Sequence, residues 1–135
     1  MKKVMQTITG LVGNCQTAVI ASLLERDINE VPYFAEGLHP DLIPNEAERA
    51  DIFNKRVDDF FESLGYELNW YLPSDEIYRY IREDCKDIPY QVQGESPRGY
   101  QHVVIYMNGK MIHDPHPEGG GVIPQYFGFI NKLQN

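Results

Sequence analysis

No stretch of this sequence stays apolar for the roughly 18 residues that a membrane-spanning helix needs, so nothing in it reads as a transmembrane segment. Positive charge is also scarce: 12 Lys and Arg stand against 20 Asp and Glu, a net charge of −8. With no Lys/Arg cluster to offset it, that balance repels phosphate backbones and argues against nucleic acid as a partner. Cysteine is limited to Cys15 and Cys85. Two thiols in unlike settings do not make a disulfide framework, and reduced cysteines in a cytoplasm are the economical expectation. The opening MKKVMQTITG has two lysines but neither a long apolar segment nor a small-residue cleavage site, so it does not read as a signal peptide. Repeats, low-complexity tracts and a dividing linker are missing as well. A single domain over 1–135 is the expectation at this length.

What is present suits a packed core. Nine Tyr, six Phe and one Trp are too many for a disordered chain. Asn14 can N-cap a helix from Cys15 to about Glu25 or Arg26, with Ala18, Val19, Ala21, Ser22 and Leu23 small or apolar enough to be buried. The following DINEVPYFAEGLHPDLIPN is broken by Pro and Gly into a loop that Val31, Tyr33 and Phe34 can pin to the core. The strongest helix signal comes next. Asn45 and Glu48 have the form of a capping box, Ile52, Phe53, Val57, Phe60, Phe61 and Leu64 recur at helical spacing, and Gly65 is a stop. YELNWYL alternates like a strand, and SDEIYRYIRED reads as a short helix capped by Ser74. Strands follow at about 88–93, in the hairpin HVVIYMNGKMIHD and near YFGFI, with the glycine-rich EGGG loop before the last. Helices first and antiparallel strands later predict an α+β fold.

The chemistry begins at VGNCQTAVIASLL, where a cysteine stands at the mouth of an apolar helix. A helix N-terminus offers unpaired N–H groups and positive potential, which favour a thiolate. A free cysteine is also among the most commonly buried residues, so Cys15 alone favours a core position. A thiol nucleophile needs a base, usually histidine, held by a carboxylate or amide. QHVVIYMNGKMIHDPHP supplies both, in His102 and Asp114. Whether they share a face depends on the turn at Asn108-Gly109. In a two-residue loop 107 pairs with 110, and His102 and Asp114 fall on opposite faces. In a three-residue loop, Met107-Asn108-Gly109, 106 pairs with 110 and His102 stands opposite Asp114, at cross-strand Cβ distances of roughly 4.5–5.5 Å. The proposed pairing relies on the three-residue loop.

GNCQTAVIASLLERDINEVPYF and SPRGYQHVVIYMNGKMIHDPHP, in that order, resemble the papain-like cysteine peptidase fold. They resemble most a group of small uncharacterised proteins, many from bacteriophages, with G-N-C, VP-F, S-P-R-G and HDPHP motifs. The H-V-V-I…D-P pattern is also similar to the bacteriocin-processing double-glycine peptidases. The two blocks cover about a third of the chain, leaving about 35 to 90 unmatched as the region of the substrate walls. The resemblance implies an N-terminal helix carrying the Cys, packed on a small antiparallel sheet. It also implies Cys15 as nucleophile, His102 as base and acid, and Asp114 as orienter. Papain-like enzymes place a glutamine before the cysteine whose side-chain N–H completes the oxyanion hole. Gln6 is the residue in that place, nine positions upstream, farther than the family's usual spacing. Gln16 ranks below it, since it would project along the helix.

The implied activity is that of a cysteine-dependent peptidase, isopeptidase or amidase acting on a peptide or protein, without metal or cofactor. The oligomeric state is left open. Two rival readings use the same residues. His102, His113, Asp114 and His116 are types that ligate zinc, but His113 and Asp114 are adjacent on a strand and point to opposite faces. His113 is therefore expected to pack behind the strand and His116 to rim the cleft. EGGG lacks the lysine and following helix of a phosphate loop; its glycines are expected to let the backbone pass close to the active site. The second rival is a catalytically silent papain-like scaffold that sequesters a host protein or a small molecule.

Overall fold

The computed structural model describes residues 1–134. It has three α-helices and one five-stranded sheet, an α+β architecture. Helix α1 spans Cys15–Leu23 and is followed by a short 3₁₀ turn at Ile28–Glu30. Helix α2 spans Glu46–Ser63, β1 Tyr66–Tyr71 and α3 Asp75–Glu83. Strands β2 (Tyr90–Glu95), β3 (Gln101–Met107), β4 (Lys110–His113) and β5 (Ile123–Lys132) complete the chain. The strand order is β1-β5-β2-β3-β4, with every neighbouring pair antiparallel.

Local sequence accounts for most of these boundaries. Asn45 accepts a hydrogen bond from the Glu48 N–H at 2.9 Å, and Ser74 accepts one from the Ile77 N–H at 3.1 Å. Each satisfies an orphan donor of a first helical turn. Of the apolar stripe of α2, Val57 and Phe61 are buried, while Phe53 and Phe60 pack at the edge of the same cluster. That cluster joins α2 to Ala18, Ile20 and Ala21 of α1, Val31 and Phe34 of the loop, and Leu68 of β1. Phe61 is fully buried, so its truncation to Ala would cost about 3–5 kcal/mol. On another part of α1, Val19 packs on Val103 and Ile105 of β3, with Cys15 beside them. The cysteine helix is thus seated on the middle of the hairpin that carries the histidine.

Two expectations need correction. Asn14 occupies the N-cap position of α1, but its side chain does not cap the helix. Its Oδ1 accepts instead from the Thr7 and Ile8 N–H groups, both at 2.9 Å, and its Nδ2 donates to Thr7 Oγ1. The amide therefore ties down the N-terminal segment rather than the helix end. The hairpin also differs: it has the two-residue loop, with 107 paired to 110 and positive φ at both Asn108 and Gly109. A one-residue bulge then lies between Met111 and His113, because Tyr106 pairs with Met111 while Ile105 pairs with His113. The extra residue, Ile112, restores the parity that the tight turn had taken away. His102 and Asp114 return to one face by a different route from the three-residue loop. Smaller shifts concern lengths: α1 ends at Leu23, β2 runs 90–95 rather than 88–93, and β5 is longer than YFGFI.

The N-terminal segment lies between α1 and the end of the hairpin. The Val4 N–H donates to Ser22 Oγ at 2.9 Å, the Val4 carbonyl lies 2.7 Å from His113 Nε2, and the Gln6 N–H donates to the Pro115 carbonyl at 3.0 Å. His113 is buried behind the strand, as its parity implies. Among the described residues no helix is long and apolar enough to cross a membrane.

Candidate active site

One cleft, about 480 Å³ in volume, brings together residues far apart in sequence. Cys15 opens α1 on its floor, His102 enters from the start of β3, and Gln6 comes from the N-terminal segment. Ala35, Leu38 and Phe53 form an apolar wall from the otherwise unmatched middle of the chain. Asp114 stands behind the histidine, its Oδ1 2.7 Å from His102 Nε2. Nε2 being taken, Nδ1 is the ring nitrogen left for the thiol.

Charge and burial act against each other at His102. It is only 5 % exposed, and burial alone would lower the pKa of an imidazolium. Hydrogen bonding to Asp114 and to the neighbouring Cys15, with the Coulombic pull of both, overcomes burial and holds His102 up at about 9. Asp114 responds in the opposite sense. Burial pushes it up, but the His102 bond and two backbone N–H groups win and hold it down at about 2. At neutral pH the pair is therefore imidazolium and carboxylate, and a positive charge stands beside Cys15.

The backbone donors on Asp114 explain two motifs. Oδ1 also accepts from the His116 N–H at 2.9 Å, and Oδ2 accepts from the Gly121 N–H at 2.8 Å. Three hydrogen bonds thereby orient the carboxylate and fix its plane. The glycine-rich loop that supplies Gly121 is held in turn by Arg98, whose Nη1 donates to the Gly119 carbonyl at 2.8 Å. SPRG and EGGG thus clamp each other behind the site. Sequence reasoning expected the glycine loop near the site but missed Arg98; the signal was an arginine in a tight turn three residues before the strand that bears His102.

The remaining histidines do not join a metal cluster. His113 faces the Val4 carbonyl, as above. His116 rims the cleft with its ring 6.0 Å from that of His102, edge to face, and its Nδ1 accepts from the Glu118 N–H. Burial, then the charges of Arg98 and His102, lower its pKa. Among the described residues no group of three or more His, Cys, Asp or Glu side chains is arranged to hold a metal ion.

Two features bear on an oxyanion hole. Because the Asn14 side chain is turned toward Thr7 and Ile8, the first N–H groups of α1 have no side-chain cap. Gln6 is buried beside them, and its nine-residue spacing from Cys15 is absorbed by a turn at residues 10–12. Gly13 is required there: a Cβ would lie 2.9 Å from the Ile8 carbonyl oxygen and 3.3 Å from Gln6 Nε2. Gln6 Nε2 donates one of its two N–H groups to the Ile8 carbonyl at 2.9 Å, and Oε1 is buried without a partner. Gln16 points elsewhere, donating to Gln91 Oε1 of β2 at 2.7 Å. Comparison of the chain with protein-family models, with characterised proteins and with solved structures finds no match.

Proposed function

We propose that the protein is a papain-like cysteine hydrolase that cleaves an amide bond, peptide or isopeptide, in a peptide or protein. The observation that carries this reading is the convergence of Cys15, His102 and Asp114 at one cleft. Cys15, as the thiolate of the ion pair, attacks the carbonyl carbon, and the C–S bond forms as the C=O π bond opens to an oxyanion. The oxyanion is met by the Cys15 backbone N–H and the second N–H of Gln6 Nε2. His102, charged at neutral pH, gives its proton to the amine nitrogen as the C–N bond breaks, leaving a thioester. Now neutral, His102 takes a proton from water as the water oxygen attacks the thioester; the C–S bond breaks, Cys15 leaves as thiolate beside the imidazolium, and a carboxylic acid is released. Asp114 fixes the tautomer and supports the imidazolium throughout, taking no proton itself.

The experiment is competitive alkylation with iodoacetamide near pH 7, read by peptide mass spectrometry. Rapid labelling of Cys15 over Cys85, lost in His102→Ala, supports the enzyme; equal and slow labelling of both thiols contradicts it. One observation favours the second reading, a silent scaffold that binds a partner. Gln6 already gives one N–H to Ile8, and the atom it leaves free of partners is an acceptor. A Cys15→Ala protein that kept its full biological effect would establish that reading.

A further inference from the structure

A second concavity, about 680 Å³ in volume, is lined from α3, β2, β3 and β5 and shares no residue with the cleft. The two are set apart along the strands: Gln93 of β2 and His102 of β3 line the cleft, while Tyr90 and Tyr106 of the same strands line the second pocket. Its floor is aromatic. Tyr90 and Phe127 are buried there, with ring centroids 6.1 Å apart at 73°. Tyr78 of α3 stands edge-on to Phe127 at 5.9 Å and is 44 % exposed, and Tyr106 of β3 lies 6.2 Å from Tyr90. A half-open wall of rings offers faces and edges to a further planar ring.

The rim is cationic, in a chain of net charge −8. Arg82, in the last turn of α3, and Lys86, just beyond it, both line the pocket and are exposed. Neither takes part in an ion pair among the described residues. No Asp or Glu lines the pocket. The acid next to Lys86 in sequence, Asp87, accepts instead from Asn108 Nδ2 at 2.8 Å. Two unpaired cations over a pit of tyrosines select for one chemistry. The volume is within the roughly 300–1,000 Å³ of small-molecule sites.

We propose that this pocket binds a small aromatic anion, its ring among Tyr78, Tyr106 and Phe127 and its carboxylate or phosphate at Arg82 and Lys86. The site is independent of the thiol chemistry, since no residue lines both. The test is NMR titration of the whole chain with 2-naphthoate, 2-naphthyl phosphate, neutral 2-naphthol and acetate. The expected result is saturable shifts at the pocket residues for at least one of the two naphthyl anions, weaker binding of naphthol, and none of acetate. A tighter phosphate arm assigns a phosphate ligand, and a tighter carboxylate arm a carboxylate ligand. The double variant Arg82→Gln, Lys86→Gln should weaken the anions about tenfold, the size expected of two exposed charge pairs, while leaving naphthol unchanged. Naphthol binding as tightly as the anions, no saturable binding of either anion, or shifts confined to the cleft overturns the proposal.

Discussion

Cys15 and Cys85 sit on opposite faces of one sheet, and their surroundings differ in every respect that matters to a thiol. Cys15 is half-buried at the start of a helix, lines a cleft and touches a charged histidine. Cys85 is 5 % exposed behind α3, among Ile81, Tyr90, Val92 and Phe129. Its polar neighbour is Tyr80, pushed up to about 12 first by that thiol and then by burial. One face holds buried polar groups that need partners; the other is a stack of rings and aliphatic side chains. The lesson is that burial makes a cysteine inert, whereas partial access beside a fixed positive charge gives it nucleophilic character.

The sharpest way to break the comparison is Cys15→Ala. It should reduce covalent turnover and rapid alkylation to background while far-UV circular dichroism is unchanged, since only a sulfur at a helix start is lost. His102→Ala should follow, lowering turnover by about 10²-fold or more, the range of a lost general acid–base. Single-turnover rates on a peptide or vinyl sulfone probe measure both. Asp114→Ala ranks third in rate but first in stability. Removing one member of a buried pair costs about 3 kcal/mol, readable as a lower urea midpoint. Asp114→Asn should be milder, because an amide can still orient the ring.

The same pair sets a pH window. His102 is raised from 6.5 to about 9, so its contribution to stability is complete below 6.5 and is lost as pH rises through about 9. Asp114 is lowered from 3.8 to about 2, so its contribution is complete above 3.8 and is lost as pH falls through about 2. Wild-type stability from this pair should therefore be full between about pH 4 and 6.5, and the Asp114→Asn protein should lack the acid limb and keep only a smaller alkaline one, since Cys15 also raises His102. Denaturation midpoints across pH 2–10 measure this; parallel curves for the two proteins would remove the pair from the account. The smallest effect belongs to Cys85→Ala. It should leave Cys15 alkylation unchanged and cost about 1 kcal/mol through a small cavity.

Much of this was legible in the chain because the signals were local. Asn45, Ser74 and the apolar stripe of α2 announce their helices through caps and period, and Asn108-Gly109 announces its turn. The catalytic candidates were legible through residue type and order. The bulge at Ile112 was not, because β-branched and apolar residues on that strand satisfy either register. Its cause is tertiary: His113 faces the Val4 carbonyl on one side of the strand, and Asp114 is held by His102, His116 and Gly121 on the other. Asn14 misled for a related reason. Its amide suits a helix cap, but two backbone N–H groups six and seven residues upstream compete for the same oxygen and win. Arg98 escaped notice because its partner is a backbone carbonyl, which leaves no trace in the sequence.

The central claim is that Cys15 and His102 act as one charged pair. The most direct test is the rate of Cys15 alkylation by iodoacetamide from pH 5 to 10 in the wild type and in His102→Ala. His102 keeps its proton up to about pH 9 in the wild type, so Cys15 should react well above the variant between pH 6 and 8, with the two rates converging only toward pH 10. Overlapping profiles would mean that the histidine does nothing for the thiol, and the pair would not exist.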